Sequence, residues 1–210
     1  MKCRGVVFMC SLLTFALAPA LSTAQEDAPA SLALGATAPM ASEQMKGVDG
    51  KDVSIASAAG KKGTLVIFSC NGCPWVKAWE KRMVEIGNSY SKRGVGVVAI
   101  NANDPERSPA DGFAEMQQRA KQRGIRYPYV MDATSEVARA FGATRTPEAF
   151  LFDAEGKLVY HGTIDDNAHE PNKVTKRYLR EALDAMLAGK EVPAAETKAL
   201  GCGIKFRPKA

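Results

Sequence analysis

The chain alternates short apolar runs with longer stretches in which apolar residues return every three or four positions. Residues 64–69 (TLVIFS) form a continuous apolar run rich in β-branched side chains, the pattern of a strand covered on both faces. KDVSI (51–55), VGVVAINAND (95–104), YPYVMD (127–132), AFLFD (149–153) and KLVYHG (157–162) supply further strands. Between them, Val76, Trp79, Met83, Ile86 and Tyr90 lie on one stripe and predict an amphipathic helix from Cys73 onward. SPAD (108–111) resembles a capping-box start with proline at the first helical position, after which Phe113, Met116 and Ala120 share a face. SEVARAFG (135–142) predicts a short helix stopped by Gly142. Residues 175–187 predict another, with Leu179, Ala182, Leu183 and Met186 inward and Gly189 at its end. Strands alternating with helices of this length predict an α/β sandwich. AFLFD and KLVYHG, joined by a Gly-containing turn, predict an antiparallel hairpin, so the sheet is mixed with helices on both faces. After Lys190 the tail EVPAAETKALGCGIKFRPKA carries no helical stripe.

The amino terminus departs from this alternation. Lys2 and Arg4 precede an apolar stretch over 5–18, and Ser22, Thr23 and Ala24 supply small residues for cleavage, the layout of a secretory signal peptide. The apolar stretch is shorter than the ~20 residues of a spanning helix. The expected organisation is a signal peptide over 1–24, a flexible lead-in over 25–34, one domain over 35–190 and a tail over 191–210, in an exported protein, periplasmic or extracellular, with no membrane anchor after cleavage. Loss of Lys2 and Arg4 takes the formal charge from +5 to +3, and no Lys/Arg cluster sharpens that excess, so nucleic acid is not an expected partner. Cleavage also removes Cys3 and Cys10, leaving Cys70, Cys73 and Cys202, too few for a disulfide framework. The remaining thiols point to chemistry.

Cys70 and Cys73 stand between the apolar run TLVIF and the start of a helix. A thiolate there meets unpaired backbone N–H groups and the positive end of the helix dipole, both of which lower its pKa. Cys73 continues the stripe 76–79–83–86–90 and is expected to face the core. Cys70 precedes the helix and is expected to be the more exposed. Attack is therefore assigned to Cys70 and resolution to Cys73. An inert disulfide closing so short a loop gains little. A metal site lacks ligands, since only Cys202, His161 and His169 are available to join the pair. His161 reads as a half-exposed strand residue and His169 as solvated. Thr146-Pro147 enters the strand AFLFD, where a cis proline exposes the neighbouring backbone for pairing with a substrate strand. Together with the dithiol it defines a candidate substrate groove.

These residues resemble the thioredoxin-fold superfamily. More narrowly they resemble the peroxiredoxin-like, thioredoxin-type branch of the alkyl hydroperoxide reductase/thiol-specific antioxidant (redoxin) group. The resemblance rests on C-N-x-C-P-aromatic-V-K-A (70–78), A-I-N-x-N-D (99–104), P-Y-x-x-D (128–132) and F-G-A-x-x-T-P (141–147). F-L-F-D (150–153), L-V-Y-x-G-x-I-D-D (158–166) and a terminal G-C-x-I-K (201–205) follow in order. It implies a thioredoxin-like three-layer sandwich over about 33–206. Gly72 stands where the family often carries histidine, and Arg145 where relatives often carry cysteine. Peroxiredoxins show P-x-x-x-T-x-x-C, whose threonine orients the peroxide; here Ile67 stands three before Cys70, and Cys70 three before Cys73.

The expected function is thiol–disulfide exchange with protein or small-molecule disulfides and an external reductant or oxidant, without a bound cofactor or metal. The alternatives are a thiol peroxidase, or a periplasmic carrier of copper or zinc using the same thiols. Cys202 admits two readings. It is a third thiol near the 70/73 pair that exchanges with it, or a small buried residue anchoring the tail. Gly201 and Gly203 flank it, and Ile204 and Phe206 alternate beyond it to dock the tail.

Overall fold

The computed structural model describes residues 31–209 together with Met1. The expected signal peptide and residues 25–30 of the lead-in lie outside the described residues. All five residues of the central strand β3 (Thr64–Phe68) are buried, as its unbroken apolar run demands. It lies parallel to β4 (Gly96–Asn101), which lies parallel to β5 (Tyr129–Met131). On its other side β3 is antiparallel to β7 (Glu148–Phe152), which turns back into β8 (Leu158–Gly162) as the predicted hairpin. β1 (Met45–Gly47) and β2 (Asp52–Val53) add an antiparallel edge beyond β5, giving the mixed order β2-β1-β5-β4-β3-β7-β8.

Alternate residues of the strands feed two cores. Leu65 and Ile67 face α1 (Pro74–Ser91), α2 (Phe113–Arg123) and α4 (Tyr178–Leu187), where Trp79, Met116 and Leu183 are fully buried. Val66 and Phe68 face α3 (Glu136–Phe141), and the Phe141 ring packs edge-on against Phe68 and Phe150 with centroids 5.2 Å away from each. Helices thus cover both faces of a mixed sheet, three on one side and one on the other. Each large side chain buried in these layers contributes roughly 1.5–3 kcal/mol. Among the described residues no helix is long and apolar enough to cross a membrane.

Some elements depart from the sequence pattern. Pro109 opens only a 3-10 turn over Pro109–Asp111; Gly112 is extended, and α2 begins at Phe113. The Ser108 hydroxyl donates to the Asp111 carboxylate instead of capping α2, joining donors from Asn71, Asn101 and Asn103 there. β1 falls in a segment with no strand pattern. Two further strands, β6 (Arg145–Thr146) and β9 (Cys202–Gly203), form a separate antiparallel pair. The described end of the lead-in is docked: Leu32 N donates to Phe141 O at 3.2 Å, and its side chain packs on the core.

Candidate active site

The dithiol loop leaves β3 at Phe68 and enters α1 at Pro74, whose missing N–H costs nothing at the first helical position. Cys70 and Cys73 are both buried, 3 and 4% exposed, so Cys70 is not the more exposed sulfur that the sequence predicts. Thr146, just before the neighbouring strand β7, closes over the pair. Its hydroxyl lies 3.2 Å from Cys70 Sγ, and its carbonyl accepts from Cys73 Sγ–H at 3.2 Å. The Thr146-Pro147 peptide bond is cis. Arg145 is exposed, as is Lys77.

The two thiols titrate as a pair. A hydrogen bond from the Cys70 thiol pulls Cys73 down to about 4, aided by the Cys202 thiol and by backbone N–H groups of Val76 and Cys202, against the cost of burial. That same bond to Cys73 pushes Cys70 far above an ordinary thiol, and burial and the negative charge of Asp111 add to the push. The first charge therefore rests on Cys73. Thr146 works the other way: its carbonyl disfavours a charge on Cys73, and its hydroxyl can donate to a Cys70 thiolate.

Beneath the loop lies a buried polar network that the sequence does not announce. The Asp111 carboxylate, fully buried, accepts from Asn71 N at 2.5 Å, Ser108 Oγ at 2.6 Å, Asn103 Nδ2 at 2.9 Å and Asn101 Nδ2 at 3.1 Å. Asn71 Nδ2 donates to Ala110 O, and Tyr129 Oη donates to Asn71 Oδ1. Burial, then Asp111 and Cys70, push the Tyr129 phenol well above its ordinary value, so it keeps the proton that it donates to Asn71. The signal available in sequence was the pairing of A-I-N-x-N-D with S-P-A-D, but nothing local says that they meet. A second missed residue is Glu148, which accepts from the backbone N–H groups of Thr144 and Arg145 and from His161 Nε2, at 2.8, 2.8 and 2.7 Å. It fixes the backbone leading into Thr146. His161, expected half-exposed, is buried and stacked on Phe150. His169 is exposed and packs its ring near Trp75.

Cys202 lies next to the pair, beside Cys73 rather than Cys70. β9 places it directly opposite Thr146. Burial and the neighbouring Cys73 push the Cys202 thiol up to about 11. All three thiols are free, and Cys202 is the least buried of them.

A dithiol between a central strand and a helix start, facing a cis proline at the head of the next strand of the same sheet, defines a protein of the thioredoxin-like class. Comparison narrows this. The Redoxin family model matches residues 33–178, and the chain belongs to that family. It is 25% identical over 115 residues to thiol-disulfide oxidoreductase ResA of Halalkalibacterium halodurans, a match spanning 55% of this chain and 61% of that protein. Among solved structures, an uncharacterized conserved protein from Geobacillus kaustophilus is 39% identical with a TM-score of 0.78, covering 85% of this chain and 94% of its own. A hypothetical protein from Sinorhizobium meliloti 1021 is 35% identical with the same TM-score of 0.78, covering 85% and 97%.

Proposed function

We propose that the protein is an exported thiol–disulfide oxidoreductase whose working groups are Cys70 and Cys73. The observation that carries this reading is the geometry of two buried thiols at the start of α1, both in contact with Thr146 at the cis Thr146-Pro147 step. A low-pKa thiol is the better leaving group in exchange. In the oxidised protein, an incoming thiolate therefore attacks Sγ of Cys70, and Cys73 departs as the stabilised thiolate. In the other direction the Cys70 thiolate, its proton passed to Cys73, attacks a partner disulfide, forms a mixed disulfide and releases the partner's other sulfur as a thiolate. Cys73 then gives up that proton to the departing partner sulfur, attacks Sγ of Cys70, expels the partner as a thiol and closes the 70–73 bond. Thr146 and Pro147 form the wall of the docking groove. Partners on this reading are protein or small-molecule disulfides and an external reductant or oxidant, and the working chain begins after cleavage near Ala24.

Purified protein is expected to catalyse reduction of a model disulfide by an external reductant. Cys70→Ser abolishes turnover, and Cys73→Ser accumulates mixed disulfides at Cys70. Full turnover in both single variants overturns the assignment. The peroxidase reading has one observation of its own, since tertiary structure supplies through Thr146 a hydroxyl beside Cys70 that the local sequence lacks. The peroxide-reduction rate of the reduced protein, set against its disulfide-exchange rate, decides between the two. Binding stoichiometry of copper(I) or zinc to the reduced protein tests the metal-carrier reading.

A further inference from the structure

The edge of β6 beside the dithiol is already paired, and with the protein's own tail. β9 runs antiparallel to it, with Cys202 opposite Thr146 and Gly203 opposite Arg145, and Ile204 N donates to Thr144 O at 3.0 Å. Only glycine permits this approach at position 201, where a Cβ would stand 2.2 Å from Thr146 O. Past the strand the tail is fastened at several points. Asp104 N donates to Lys205 O at 2.7 Å, Lys205 N to Asn103 Oδ1 at 2.9 Å, and Arg207 N to Ser135 Oγ at 3.0 Å. Ile204 is buried in the core on the α3 side. The result is a fixed extended strand that sets Cys202 opposite Thr146, the residue in contact with both sulfurs of the pair, packs it against their cluster and leaves it more exposed than either. An extended segment added to an exposed backbone edge is how strand-like partners are held.

Building on the dithiol reading, we propose that β9 is an internal substrate strand and that Cys202 is a third exchange thiol, so that Cys73 forms a disulfide with either Cys70 or Cys202. In the 70–73 disulfide, the Cys202 thiol gives up its proton and its sulfur attacks Sγ of Cys73. The 73–202 bond forms, the 70–73 bond breaks, and Cys70 leaves as a thiolate that takes the proton, with no change of oxidation state. An external dithiol then attacks Sγ of Cys202, the accessible sulfur, and Cys73 leaves as a thiolate. The second thiol of that reductant attacks its own mixed-disulfide sulfur and releases Cys202. The reductant ends as a disulfide, and two electrons have entered the protein. Cys202 is thus the port through which a buried dithiol is recharged.

The test uses residues 25–210 with Cys70→Ser and, in parallel, with Cys202→Ser. Each is oxidised with excess glutathione disulfide and mapped by peptide mass spectrometry, with Cys70→Ala run beside Cys70→Ser against a folding artefact. The expected result is a 73–202 bridge within one chain in both Cys70 variants and a 70–73 bridge in Cys202→Ser. Oxidised wild type is also expected to be reduced by dithiothreitol about fivefold faster than oxidised Cys202→Ser. A Cys202 left free, or bridged only between chains, in the Cys70 variants overturns the proposal, as do equal reduction rates. In either case a 70–73 bridge in Cys202→Ser leaves the dithiol reading standing. If neither wild type nor Cys202→Ser forms 70–73, the dithiol reading itself fails.

Discussion

Asp111 adds to the push from Cys73 and burial that keeps Cys70 protonated, and Gly72 lies beside that aspartate. The carboxylate is buried, saturated by four donors, and close enough to push the Cys70 thiol up. A side chain at position 72 would point at it: a Cβ there lies 3.4 Å from Ser108 Oγ and 3.7 Å from Asp111 Oδ2, ordinary contact distances. Gly72→His therefore places an imidazole against Asp111, where its protonated form offsets the carboxylate and eases charge onto the sulfurs. A more stable thiolate favours the reduced state, so the reduction potential of the 70/73 couple rises, by about 30 mV for each 1.4 kcal/mol gained. The potential is read by equilibration against glutathione. An unchanged or lower value in the variant would show that residue 72 does not act on the pair.

The helix α1, which begins just after Cys73, is tied to one buried carboxylate outside the site. Asp165 accepts from Trp79 Nε1 at 2.7 Å and pairs with Arg82, whose guanidinium also donates to the carbonyls of Asn167 and Ala168. Asp165 and Arg82 side chains are only 4 and 17% exposed. Breaking a buried pair by removing one partner leaves a charge and a donor unanswered, at a cost of about 3–5 kcal/mol. Asp165→Ala is expected to lower the unfolding free energy in urea by an amount in that range. Asp165→Asn, which keeps an acceptor for the indole, should cost less. Equal, small losses in both variants would show that the apolar stripe of α1 holds the helix without this anchor.

The ionisation of the pair also couples the stability of the reduced protein to pH. In the unfolded chain Cys73 is an ordinary thiol near 9, whereas in the folded chain it is lowered to about 4. Between these values the unfolded chain binds the extra proton, so stability of the reduced form rises with pH across that window and is lost as pH falls through about 4. Cys70 has the opposite sign. Its folded pKa is raised, so its contribution is complete below the unfolded value near 9 and fades as pH rises beyond it. Reduced protein is therefore expected to gain stability from about pH 4 to pH 9, relative to the Cys73→Ser variant, and then to lose it. Urea unfolding under strict reduction measures this, with thiolate absorbance at 240 nm reporting the charge. A flat difference between the two proteins across the window would mean that Cys73 titrates as an ordinary thiol.

Period and punctuation were enough to read the frame. The unbroken TLVIF run made β3, the three-four spacing from Val76 to Tyr90 made α1, and Gly142 stopped α3 in a left-handed turn. The hairpin of β7 and β8 followed from the glycine turn between them. These features are local, and residues within one turn or one strand decide them. The thiols and the Thr146-Pro147 step were legible for the same reason, as short runs with defined neighbours. What the sequence could not reach depended on partners far along the chain. Asp111 meets Asn71 across 40 residues, His161 finds Glu148 on the neighbouring strand, and Cys202 reaches Thr146 through a two-residue pairing too short to leave a period. Exposure and charge within the Cys70–Cys73 pair belong to the same group, because burial, Asp111 and the third thiol set them together, and folding alone brings these to one point.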